Sequence, residues 1–93
     1  MDEKALMQKC LDTWGQESQL SMLQEECAEL IVAVSKVLRG KTNAWQNLYE
    51  EIADVSLVID QIKLIAPVAS EKIINEVRKV KLERLENILK DKE

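Results

Sequence analysis

Two short segments of the chain repeat one arrangement of acids: Glu25-Glu26-Cys27-Ala28-Glu29-Leu30 and Glu50-Glu51-Ile52-Ala53-Asp54-Val55. In a helix, residues three apart share a side, so Glu26 and Glu29 form one carboxylate pair and Glu51 and Asp54 form another. If the two helices make an antiparallel hairpin turning near Lys41, residues equidistant from the turn lie level. That pairs Glu26 with Asp54 and Glu29 with Glu51. Four ionised acids at one level repel, and two outcomes relieve them: protonation, or a hard cation held by oxygen ligands, for which Mg²⁺ is the first expectation and Mn²⁺ a substitute. A single acidic pair on a helix is ordinarily a solvated face, and only the doubling at matched rotation and level points to a metal site. Glu25 and Glu50 rotate further from the apolar side, where an auxiliary role is the most they suggest.

The chain has no histidine. This excludes the Glu-x-x-His di-iron bundles and the two-histidine helical zinc sites. A carboxylate-held magnesium ion with open positions typically meets phosphate oxygens, so phosphate-ester or anhydride chemistry follows.

Four helices must position these acids. Residues 3 to 14 carry Leu6, Met7, Cys10, Leu11 and Trp14 at helical spacing, with Gly15 as the stop. A second helix from about Glu17 places Leu20, Leu23, Cys27, Leu30, Ile31, Val34 and Leu38 on one stripe and ends at Gly40. Asn43 with Gln46 reads as a capping box opening a third helix, whose stripe is Trp45, Leu48, Ile52, Val55, Ile59 and Ile62. Pro67 or Ser70 opens the fourth, with Ile73, Ile74, Val77, Val80, Leu85, Ile88 and Leu89 as its apolar side. Strand signals are absent. The expected fold is all-α, an antiparallel helical bundle of about four helices in a single domain, residues 1–93.

Composition bounds the partners. With 93 residues, 46% hydrophobic and 32% charged, the chain reads as one small folded domain, and a domain of this size buries little enough surface that self-association is expected. A formal charge of −4 argues against a nucleic-acid surface. The longest apolar run, Leu30 to Val34, is too short to span a membrane. Two separated cysteines and an N-terminus without a signal-peptide core point to the cytoplasm. Without histidine to activate them, Cys10 and Cys27 are read as packing residues.

The paired motif resembles that of the MazG-like family of all-α nucleoside triphosphate pyrophosphohydrolases, in which Glu-Glu-x-x-Glu is followed, after a spacer, by Glu-x-x-Asp. Here it reads Glu25-Glu26-x-x-Glu29, twenty-one residues, then Glu51-x-x-Asp54. Leu38-Arg39-Gly40-Lys41 and Asp60-Gln61-Ile62-Lys63-Leu64 add to the similarity with the short phage and bacterial members, over roughly residues 14 to 86. The resemblance implies that Glu26, Glu29, Glu51 and Asp54 bind Mg²⁺, and that Glu25 assists as base or further ligand. It also implies that water attacks the α-phosphorus of an NTP or dNTP to give the monophosphate and pyrophosphate. A homodimer, or a dimer of dimers, would complete the bundle, which fits the nearly all-round apolar stretch Leu30-Ile31-Val32-Ala33-Val34. Arg78 and Lys81 on the fourth helix are the preferred phosphate contacts, Trp14 the neighbour of the base, and Gln19 a hydrogen-bonding partner of the substrate. A non-catalytic helical interaction module and a nucleotide sensor without turnover are the competing readings.

Overall fold

The computed structural model describes residues 1–93 and contains four helices and no strand: α1 (Glu3–Trp14), α2 (Gln16–Leu38), α3 (Ala44–Lys63) and α4 (Pro67–Lys92). The all-α expectation is met. No helix is long and apolar enough to cross a membrane.

Helix ends follow local chemistry. Asp2 caps α1, its Oδ1 accepting from the Ala5 amide at 2.7 Å, an interaction typically worth about 1 kcal/mol. Gly15 breaks the chain between α1 and α2 at φ 87°, ψ 159°, a backbone region essentially reserved for glycine. Gly40, at φ 68°, turns the chain after α2. Pro67 opens α4 at its first turn, where the missing N–H costs nothing. The expected capping box at Asn43 does not form. Asn43 takes a left-handed conformation, φ 60°, and its side chain makes no cap hydrogen bond. The tight connection from Gly40 to Ala44 demands that backbone, and asparagine tolerates it better than most residues.

α2 and α3 form the hairpin, and α1 packs across both. Along α2 the less exposed positions include the run Gln19, Leu23, Glu26, Leu30, Ala33 and Val37, with Ser35 and Lys36 beside it; along α3 they include the run Ala44, Leu48, Glu51, Val55, Val58 and Ile62, with Asn47 and Gln61 beside it. Both runs alternate steps of three and four, the seam spacing of paired helices. Ala33 is wholly buried, small enough to let the backbones approach. This seam is rotated from the stripe read in the sequence: Leu20, Cys27, Ile31, Val34 and Leu38 are exposed, as are Trp45, Ile52 and Ile59 on α3. α2 has apolar residues on two sides, and the hairpin uses the side that also carries Glu26.

α4 does not close a bundle within the chain. It packs against α3 alone, anchored where the Ser70 hydroxyl donates to the Lys63 carbonyl at 2.9 Å, and none of its residues is buried. The radius of gyration is 16.6 Å. A compact domain of this length would have about 12 Å. Six hydrophobic residues are buried, whereas the α4 side chains Ile73, Val77, Val80, Leu85 and Leu89 all face solvent.

Candidate metal centre

Because Glu26 and Glu51 stand at seam positions, the hairpin itself drives their carboxylates together. One oxygen each from Glu26, Glu51 and Asp54 lie within 4.8 Å of one another. Glu29, one turn along α2 from Glu26, is exposed and stands outside this group of three, lining with Glu51 the hollow beside it. Of the four acids predicted to lie level, Glu26, Glu51 and Asp54 are brought together.

The electrostatics follow from that crowding. Glu26 Oε2 and Glu51 Oε2 are shielded from solvent and have no hydrogen-bond partner. Desolvation raises the pKa of Glu26 above the ordinary 4.5, reinforced by the charges of Glu29, Asp54 and Glu51. Glu51 is raised for the same first reason, then by Glu29 and Asp54. Unpartnered buried acceptors are costly, and both belong to residues of the three-carboxylate cluster. A donor set made only of carboxylate oxygens fits a hard divalent ion, Mg²⁺ or Mn²⁺.

Glu25 and Glu50 stand outside this set. Both are exposed, and Glu50 Oε1 accepts from the Gln46 side-chain amide at 3.2 Å.

A hollow adjoins the carboxylates, and a second cleft lies further along the hairpin. Towards the turn, a hollow of about 250 Å³ is lined by Ala28, Glu29, Val32, Lys36, Asn47 and Glu51. Lys36, which the sequence gathers with Arg39 and Lys41 near the turn, brings a cation beside the acids, seven residues on from Glu29; Asn47 lies one turn before Glu51 and does not stand out in the sequence from ordinary helical polar residues. Away from the turn, a cleft of about 400 Å³ is lined by Trp14, Ser18, Gln19, Met22, Val58 and Gln61. Trp14 and Gln19, both expected near substrate, share this cleft. Trp45 and Tyr49 instead pair with each other, ring centroids 6.1 Å apart.

Arg78 and Lys81 are not brought to the carboxylates. They ride on α4, which touches neither α1 nor α2, and Lys81 lines a separate shallow groove with Glu76, Val77 and Val80. The sequence reading assumed that α4 folds back along the hairpin; its connection to α3 directs it elsewhere. Within one chain the cation nearest the acids is on α2, not α4.

Comparison of the chain with protein-family models, with curated proteins and with solved structures returned no match.

Proposed function

We propose that the protein is a magnesium-dependent nucleoside triphosphate pyrophosphohydrolase, releasing a nucleoside monophosphate and pyrophosphate, as its resemblance to the MazG-like enzymes implies. The observation that carries the reading is the convergence of Glu26, Glu51 and Asp54 within 4.8 Å, two of their oxygens buried and unpartnered. Protein stability alone gives no reason to keep such a cluster at a helix seam, where apolar residues would pack without repulsion.

Glu26, Glu29, Glu51 and Asp54 would hold the ion, which supplies charge neutralisation at the phosphate oxygens and acidification of bound water. The chain's own groups do the rest. Lys36 meets phosphate charge from the turn side. Glu25, exposed next to Glu26, would take a proton to solvent rather than hold the ion. The unpaired apolar faces of α2 and α4 support a homodimer in which a second copy covers them, and only a partner's α4 could bring Arg78 and Lys81 to this site.

The test is pyrophosphate release from a panel of NTPs and dNTPs, with Mg²⁺ and with EDTA. We expect metal-dependent release, and a loss of about a hundredfold or more in Glu29→Gln and Asp54→Asn with helicity unchanged, because each removes a charge from the site. Wild-type rates in either variant would overturn the reading. Nucleotide binding without release would indicate a sensor.

A further inference from the structure

The hairpin has two faces, and the metal centre uses only one of them. Residues just before the seam, Glu29, Val32 and Lys36 on α2 and Asn47 on α3, line the hollow beside the acids. In an antiparallel pair an equal rotation about both axes leads to the same side, so residues just after the seam share the opposite face. At the turn end of the hairpin these are Leu38, Trp45 and Tyr49. Leu38 and Trp45 stand level, and Tyr49 lies one helical turn back from them.

Nothing in the chain covers this apex. α1 packs at the far end of the hairpin, where Met7 lines one cleft with Asp60 and Leu64, and Trp14 lines another with Val58 and Gln61. α4 starts from that same far end. Leu38 is 82% exposed, and Trp45 and Tyr49 are 59% each. Single exposed apolar residues are ordinary, but a leucine, a tryptophan and a tyrosine gathered at one apex mark an interaction surface.

Charge is equally uneven. The chain carries −4 overall, yet no acidic residue lies between Glu29 and Glu50, the stretch that contains Lys36, Arg39 and Lys41. Arg39 and Lys41 are exposed at the turn itself, and the chain's one ion pair, Lys90 with Glu86, is on α4.

This combination discriminates among occupants. A second copy does not suit the apex, because two apices face to face would set like charges together; the dimer face lies further back along α2 and on α4. Nucleic acid would use the rings and the cations, but it has no use for Leu38, and the acidic remainder of the chain repels it. The headgroup layer of an anionic membrane takes all three components. Apolar side chains reach the acyl boundary, Trp and Tyr favour the interface, and Lys and Arg meet the lipid phosphates. The depth agrees: one helical turn, from Trp45 to Tyr49, is about 6 Å, within the roughly 5–10 Å that interfacial elements enter. Docking of this kind needs no spanning helix.

We propose that the apex of the α2–α3 hairpin docks on an anionic lipid surface, with Leu38, Trp45 and Tyr49 seated among the headgroups and Arg39 and Lys41 on lipid phosphates. The hollow and its carboxylates lie on the opposite face and stay open to solvent. This inference stands independently of the nucleotide reading.

Sedimentation of the full chain with vesicles of phosphatidylcholine alone, and with vesicles containing about a third phosphatidylglycerol, tests it. EDTA is present so that no divalent ion bridges the acids to lipid. Wild type should bind the anionic vesicles at least about tenfold more tightly than the neutral ones, since each basic residue near such a surface strengthens binding about fivefold. Arg39→Gln with Lys41→Gln should remove that preference. Leu38→Ser should weaken binding about tenfold at an unchanged melting temperature, because the side chain is already exposed in the folded state. In a Trp14→Phe background the emission of Trp45 should shift to the blue on anionic vesicles and be quenched by brominated lipid. Failure to bind anionic vesicles, binding indifferent to Leu38→Ser, or a Trp45 that brominated lipid does not quench would overturn the proposal. An equal blue shift with poly-glutamate or a single-stranded oligonucleotide in place of vesicles would also overturn it, assigning the apex to an acidic protein or to nucleic acid.

Discussion

Glu26 and Glu51 occupy positions that a helical hairpin would ordinarily fill with leucine or valine, and the cost should be measurable. Because their folded pKa values are raised above 4.5, the folded state binds protons more tightly than the unfolded chain does. Their contribution to stability is therefore fully present below the unfolded value and is lost as pH rises through the raised folded value. Metal-free protein should melt higher at about pH 5 than at neutral pH, and Glu51→Gln should flatten that dependence and raise the neutral melting temperature by itself. Mg²⁺ should stabilise wild type at neutral pH and hardly affect Glu51→Gln. Thermal melts across pH in EDTA and in Mg²⁺ decide both points. The carboxylates were readable because two acid pairs at matched rotation and level form a pattern of their own. Gln61 was not, because a lone glutamine buried beside a seam is identical in sequence to one on a solvated face.

The four helices were readable from apolar spacing and from Gly15, Gly40 and Pro67, and their observed limits fall within a residue or two of those the spacing predicts. The rotation of α2 was not, because apolar residues on two of its sides leave a single sequence free to choose either as the seam. The seam taken brings the acids inward from the flank of the stripe to the contact itself. Asn43 failed as a cap because turn geometry outranked side-chain chemistry. The α1–α2 break shows how far one residue sets the architecture. Gly15 has open space where a Cβ would stand, so Gly15→Ala costs only backbone strain. We expect a loss of about 1–3 kcal/mol in urea unfolding, with α1 shifted relative to α2 and the Trp14 cleft distorted with it. A variant as stable as wild type would show that the break tolerates other conformations.

At the scale of the whole molecule, α4 dominates. Twenty-six residues long, with no buried side chain, it gives the chain an extent of 49 Å and a thickness of only 23 Å. The sequence predicted the helix correctly but not its direction, since the few residues between Lys63 and Pro67 do not reveal which way the chain leaves α3. A helix whose apolar side is held out from its own hairpin is an arm, and if arms are exchanged between two copies, the labour of each site is divided between chains. Complementation in trans would then follow. A chain with Arg78→Ala and Lys81→Ala keeps its carboxylates and loses its arm's charges; a Glu29→Gln chain has the opposite defect. Unfolded together and refolded at equal amounts, two such inactive preparations should regain activity approaching about a quarter of wild type, because half of the dimers are mixed and each mixed dimer reassembles one intact site. No recovery from a mixture of folded, dimeric chains would mean that every chain serves only itself.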